Sequence, residues 1–130
     1  MVTVTYLDAS AALKLIVEER ESAALAEELT ARPDRRLVAS WLLHTELHCA
    51  AGRHPQELDA ESVRSVLATV NLMDLTRGDM IAAGTLAPLR SNDAIHLAVA
   101  IRLGVDEIAT YDSELATAAM HAGLSVLAPE

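Results

Sequence analysis

Four acidic residues of this chain occupy settings in which a carboxylate could do chemistry: Asp8, Glu46, Asp93 and Asp112. Asp8 closes a β-prone run, Val2-Thr3-Val4-Thr5-Tyr6-Leu7, and helix-favouring Ala9-Ser10-Ala11-Ala12-Leu13-Lys14-Leu15 follows at once. Asp112 follows a second β-prone run, Glu107-Ile108-Ala109-Thr110, and another helical segment begins after it. Ligands of open α/β sheets bind in the crevice beyond the carboxyl ends of the strands. If these two strands are neighbours, both carboxylates meet in one crevice. Asp is also a favoured helix N-cap, so each residue fits a structural role equally well.

Asp93 opens the segment Ala94-Ile95-His96-Leu97-Ala98-Val99-Ala100-Ile101, which is apolar nearly all round and should be deeply buried. Ser91 and Asn92 are expected to cap this helix, leaving Asp93 superfluous for capping, although its charge suits the helix dipole there. An acid at the mouth of such a helix is expected to point at a ligand. Glu46 has Leu42, Leu43, Cys49 and Ala50 one turn away on either side, which puts a charge on an apolar face. Buried glutamate is rare unless paired or bound to metal. The bland alternative is a rim residue reaching to solvent.

Four carboxylates without a basic neighbour in sequence repel one another. Hard oxygen donors of this kind suit Mg²⁺ or Mn²⁺. Such ions bind phosphates and lower the pKa of a bound water, the chemistry of phosphodiester hydrolysis.

Rival chemistries lack their residues. His44 and His48 have the i, i+4 spacing of a zinc-hydrolase helix, but HExxH needs its Glu directly after the first His. Glu46 stands two residues on, about 200° around the helix. The remaining histidines, His54, His96 and His121, suit structural roles. No GxxxxGK[ST] or GxGxxG offers a nucleotide cradle, and no GxSxG marks a hydrolase nucleophile. Cys49 lies inside a helical segment without an acid–base partner, and Asp8-Ala9-Ser10 lacks the second Asp of a phosphoaspartate phosphatase.

Composition narrows the setting. A chain of 130 residues, 52% of them hydrophobic, is long enough for one domain spanning 1–130 with a real core. Phe is absent, so Ala, Leu, Val and Ile must build that core, with Trp41 expected as its only large ring system. A net charge of −9 gives no general attraction to nucleic acid, so an RNA substrate would need metal and local arginine to offset it. A basic protein partner is equally suited. One cysteine, no apolar stretch of membrane-spanning length and no basic leader pattern lead to a cytoplasmic expectation.

The elements that must position the acids alternate along the chain. Strands are expected over 2–7, 36–40, 71–75, 107–110 and 124–127. Helices are expected over 10–18, 22–31, 41–52, 59–70, 76–86, 93–103 and 113–122, with Ser40 capping the third and Gly104 ending the sixth. This alternation predicts an α/β fold with a parallel sheet covered on both faces. Several crossovers carry two helices, so counting elements does not fix which sheet end each helix faces.

Tyr6-Leu-Asp8-Ala-Ser10, Thr45-Glu46-Leu47, Leu89-Arg-Ser-Asn-Asp93-Ala-Ile-His-Leu-Ala98 and Thr110-Tyr-Asp112-Ser-Glu-Leu115, in this order, resemble the PIN-domain ribonucleases. Essentially the whole chain is similar to the VapC-type toxins of bacterial toxin–antitoxin pairs. The resemblance implies a three-layer α/β/α fold with a parallel five-stranded sheet flanked by helices. It implies that Asp8, Glu46, Asp93 and Asp112 are the catalytic acidic quartet. Asp8 and Asp93 would be the main ligands of Mg²⁺ or Mn²⁺, with Glu46 and Asp112 completing the set directly or through water, and Ser10 as a supporting hydroxyl.

The implied activity is endoribonuclease cleavage leaving 5′-phosphate and 3′-hydroxyl ends. The implied partners are RNA, a second copy in a homodimer, and an antitoxin with a basic C-terminal segment. The alternative from the residues alone is a non-catalytic acidic module that binds RNA or a basic peptide in the same crevice.

Overall fold

A computed structural model describes residues 2–130. In chain order the elements are β1 (Thr3–Leu7), α1 (Ala9–Lys14), α2 (Ser22–Thr30), β2 (Arg35–Ser40), α3 (Trp41–Arg53) and α4 (Ala60–Leu67). They continue with β3 (Asn71–Met73), α5 (Arg77–Ala83), α6 (Ser91–Leu103), β4 (Glu107–Ala109), α7 (Ser113–His121) and β5 (Ser125–Leu127). All five strands are parallel, in the order β3-β2-β1-β4-β5. This is the α/β architecture, with its parallel five-stranded sheet, that the alternation predicts.

The order explains the placement of the helices. The chain steps from β1 outward to β2 and β3, then crosses back to β4 on the other side of β1. Right-handed crossovers put the helices before and after that return on opposite faces. The contacts agree: α1 packs on α2 and α3, and α3 on α4, while α5, α6 and α7 form a second packed set. The strand order therefore reverses between β1 and β4, the crevice where ligands of such sheets bind.

The core forms around β1. Thr5, Tyr6 and Leu7 are completely buried, as are Leu25, Leu43, Ile108 and Leu115 from the surrounding elements. The expectation for Trp41 fails: it is 47% exposed, and Tyr6 is the ring inside the core. Trp41 is the first residue of α3, where the chain leaves the sheet end, and its ring lies 5.1 Å from that of His44 on the surface. Ser40 caps α3 as expected, accepting from Leu42 N at 3.3 Å.

Other departures lie at element ends. α1 stops at Lys14 instead of continuing to 18. The Ser22 hydroxyl donates to Val17 O (3.0 Å) and accepts from Glu19 N (2.9 Å), which turns the chain before α2. β3 is three residues, not five, and α4 and α5 are shorter than predicted. Ser91 and Asn92 do not cap α6: its N-cap is Arg90, which makes no side-chain capping bond. Gly104 does end that helix in the left-handed region (φ 65°). Among the described residues no helix is long and apolar enough to cross a membrane.

A buried carboxylate fastens α5 to α6. Asp79 is the third residue of α5 and closes a capping box with Thr76. It also takes both arms of Arg102, from Nε at 2.6 Å and Nη2 at 2.9 Å. The Arg102 guanidinium holds the Asp79 carboxyl below the usual carboxylate range. An acid whose folded-state pKa is depressed stabilises the fold above its unfolded pKa and loses that contribution as pH falls through the folded value. Asp79→Asn should cost about 2 kcal/mol at neutral pH. Denaturant titrations across the acid range should show the wild type losing stability and converging on the mutant.

Candidate active site

β1 and β4 are paired in register, Leu7 opposite Ala109, so the residues that follow them emerge side by side. Asp8 N donates to Ala109 O at 3.2 Å, tying the two strand exits together. Asp8 is 2% exposed and caps α1 by accepting from Ala11 N at 2.8 Å. Asp112 caps α7, accepting from Leu115 N at 2.9 Å. The structural reading of both aspartates is therefore correct, and it does not exclude the functional one. Each cap holds a carboxylate at the mouth of the same crevice.

Two hydroxyls join them. Ser10 Oγ donates to Asp8 (2.8 Å to Oδ1, 3.0 Å to Oδ2), and Thr110 Oγ1 donates to Asp8 Oδ2 at 2.5 Å. Ser10 Oγ also accepts from Tyr111 N (2.9 Å), and Thr110 Oγ1 from Asp112 N (3.1 Å). Ser10 is thus hydrogen-bonded to the first acid. Thr110 is an addition that the sequence reading missed. Its signal was present: a hydroxyl two residues before Asp112 mirrors the hydroxyl two residues after Asp8.

The other two acids come from helices. Asp93 lies in the uncapped first turn of α6, half-buried, and among the described residues no hydrogen bond acts on its carboxylate. Glu46, half-buried on α3, is neither free in the core nor turned to solvent. Its Oε1 is 2.5 Å from His96 Nε2, and its Oε2 accepts from Asn92 Nδ2 at 3.3 Å. His96 is 1% exposed, and its Nδ1 is 2.7 Å from the Tyr6 hydroxyl, which accepts from Ser40 N at 3.2 Å. The partner of Glu46 is thus fifty residues away in sequence, and Asn92, unused as a cap, reaches the same carboxylate.

The four acids share one electrostatic field. Burial raises the Asp93 pKa most, the charges of Asp112 and Asp8 raise it further, His96 opposes this and Glu46 adds to it. Burial also raises Asp8, against the hydrogen bonds from Thr110, Ala11 and Ser10. Other buried or half-buried acids have cationic partners: Asp79 has Arg102, Glu107 has Arg35 and Glu21 has Lys14. Among the described residues no Lys or Arg pairs with Asp8, Glu46, Asp93 or Asp112.

No three His, Cys, Asp or Glu side chains among the described residues stand close enough together to enclose an ion as they are. Like charges in a partly desolvated crevice favour separation. The donor set nevertheless fits a hard divalent ion. It consists of carboxylate oxygens, uncompensated by cations, with Asp93 unengaged and held on a helix end. His44 and His48 stack on each other along α3 with ring centroids 4.4 Å apart, and among the described residues they acquire no third ligand.

Comparison with known proteins supplies relatives for the chain and for its fold. The family model described as PIN domain matches residues 5–120. Ribonuclease VapC46 of Mycobacterium tuberculosis is 41% identical over 128 residues, covering 95% of this chain and 96% of that protein. Ribonuclease VapC35 of the same organism is 40% identical over 134 residues, with the same coverage. A toxin–antitoxin complex from Klebsiella pneumoniae contains a chain of similar fold, with a TM-score of 0.70, 22% identity, and coverage of 97% of this chain and 98% of that one.

The two kinds of acid should respond differently to loss of charge. An acid with a raised folded-state pKa opposes folding as pH rises through its unfolded value and it ionises. Asp93→Asn removes that penalty without breaking a hydrogen bond. The metal-free mutant should therefore match the wild type or exceed it by up to about 1 kcal/mol at neutral pH, allowing for solvent screening. Asp8→Asn also removes a charge, but it puts an amide where Ser10, Thr110 and Ala11 all donate. It should be the less stable of the two. Thermal melting in EDTA checks the pair, and a melting temperature for Asp93→Asn clearly below wild type would contradict its assignment to the site.

Proposed function

This chain belongs to the PIN-domain family, and from that premise we propose that it is an endoribonuclease, the toxin of a toxin–antitoxin pair, hydrolysing RNA phosphodiester bonds with a divalent metal. The observation that carries the reading is the crevice itself. Carboxylates from four separate elements face one field, with no lysine or arginine paired to any of them among the described residues. Its ribonuclease relatives match over nearly their whole length, so the reading applies to the full fold and not to a shared fragment.

In this reading Asp8 and Asp93 hold Mg²⁺ or Mn²⁺, with Glu46 and Asp112 completing the set. When bound, the ion supplies a water of lowered pKa and positive charge for the phosphate oxygens. Asp8 is held in place by two hydroxyl donors and a backbone N–H, which oppose the rise that burial imposes on its pKa. Glu46, anchored through both oxygens, would offer its remaining lone pairs to the ion or to a water bound on it. Asp112 borders the crevice from the start of α7.

The partners follow the same chemistry. A net charge of −9 and an acidic crevice favour a basic inhibitor, the C-terminal segment of the antitoxin. Met80, Ile81 and Ile101 are exposed on the packed pair α5 and α6 and support a homodimer. The unpaired Cys49 fits a reducing cytoplasm.

Purified protein should cleave total RNA with Mg²⁺ or Mn²⁺ and stop in excess EDTA. Asp93→Asn, the fold-neutral substitution, should lose at least about two orders of magnitude in rate. Cleavage that persists in EDTA would rule the metal mechanism out, and no cleavage with either metal would leave the non-catalytic binding module in its place.

Inhibition has its own test. Arginine pairs with carboxylates through two parallel bonds. A cognate antitoxin should therefore insert an arginine among Asp8, Glu46 and Asp93 and compete with metal. Calorimetry should find its affinity reduced on an Asp93→Asn toxin, and equal affinity would place inhibition elsewhere.

A further inference from the structure

Glu46 is the acid whose position the backbone determines least. Asp8 and Asp112 are fixed by their caps, and Asp93 has a short side chain in the first turn of a buried helix. Glu46 projects from the middle of α3 on a longer side chain with three rotatable bonds. Yet both of its oxygens are taken by residues of a different helix. Asn92 and His96 stand one turn apart on α6, so they present donors along the same helix face.

The protonation pattern follows from counting donors. A carboxylate only accepts, so Asn92 must offer its amide N–H, and His96 must carry a proton on Nε2. The Tyr6 oxygen already accepts from Ser40 N. Its hydroxyl proton therefore has one buried destination, His96 Nδ1 at 2.7 Å. A proton on Nδ1 as well would leave the Tyr6 hydroxyl facing another donor inside the core. The chain Ser40 N–H to Tyr6 to His96 to Glu46 thus runs in one direction from the end of β2 to the crevice, and every group in it is satisfied.

Resting on the reading of the site as a metal-dependent nuclease centre, we infer that His96 and Asn92 are positioning residues. Held as its Nε2–H tautomer by Tyr6, His96 fixes one oxygen of Glu46 while Asn92 fixes the other, and together they set the direction in which Glu46 offers its remaining lone pairs to the crevice. None of the three need touch substrate. Their effect is to hold a flexible carboxylate in one geometry before metal or RNA arrives.

Two substitutions separate this role from simple core packing, because each keeps half of the histidine. In His96→Gln the amide nitrogen falls near the Nε2 position and can still donate to Glu46, while the acceptor for Tyr6 is lost. In His96→Asn the amide oxygen falls near Nδ1 and can still accept from Tyr6, while the donor to Glu46 is lost. His96→Asn should lower kcat for RNA cleavage roughly 10–100-fold, with a smaller change in KM, and weaken Mn²⁺ binding by calorimetry over a similar range. His96→Gln should retain the greater part of both.

Nitrogen NMR of His96 in the metal-free, RNA-free protein should find Nε2 protonated and Nδ1 bare, and Tyr6→Phe should abolish that preference. Equal losses in the Gln and Asn variants, tracking their melting temperatures, would make His96 a packing residue and overturn the inference. So would the opposite tautomer. If the wild type cleaves no RNA, the nuclease reading falls and the Mn²⁺ titrations decide the positioning alone. If it also binds no Mn²⁺, the inference falls too.

Discussion

Repulsion among carboxylates is the constraint around which this molecule is arranged. Asp8 is almost wholly buried, and Asp93 senses Asp112, Asp8 and Glu46 together, yet no lysine or arginine among the described residues reaches any of them. At the opposite ends of the same strands the chain behaves differently. Arg35, at the start of β2, joins Glu107, at the start of β4, and Glu28 of α2, and Thr5 also donates to Glu107. At one end of the sheet a buried guanidinium bridges the acids, and at the other they are left without a cation. Uncompensated buried charge opposes folding, so this asymmetry is the kind of local conflict that marks a functional site.

The fold tolerates the conflict by supplying hydrogen bonds in place of cations. Asp8 receives two hydroxyls and a backbone N–H, and Glu46 receives an amide and an imidazole. Neutral donors stabilise a carboxylate without cancelling its charge, so the crevice keeps its attraction for a cation. A cation paired with either acid would cancel that charge and compete for the site. The site is therefore stabilised enough to fold and left negative enough to bind.

Cap and ligand roles coincide in Asp8 and Asp112, and this affects how substitutions there are interpreted. A strand that turns directly into a helix needs a cap, and a side chain in that place already faces the crevice at the reversal of strand order. Loss of activity after substituting Asp8 mixes lost chemistry with a lost cap. Asp93 separates the two, because no hydrogen bond among the described residues depends on its carboxylate. Glu46 is intermediate: its geometry depends on α6, so changes in α6 reach the chemistry without touching the acid.

Local sequence determined a good deal of this protein. Alternating β-prone and helical segments specified a parallel α/β sheet, because strand and helix periodicities and capping residues are short-range signals. Asp8 and Asp112 were recognisable at strand ends, Glu46 as a charge on an apolar helix face, and Asp93 at the mouth of a buried helix. The motif order carried the family resemblance. Tertiary structure decided what depends on which segments become neighbours. Strand order brought Thr110 to Asp8 and made the two exits one crevice. Side-chain hydrogen bonds reaching between α3 and α6 gave Glu46 its partners, His96 and Asn92, some fifty residues distant. Asn92 read locally as a cap, but its amide was drawn to a carboxylate on another helix. Trp41 read as core by hydrophobicity, yet its place at the start of α3 turned it outward and left the buried ring to Tyr6. Composition states what a side chain prefers, and only the assembled sheet determines which preference can be met.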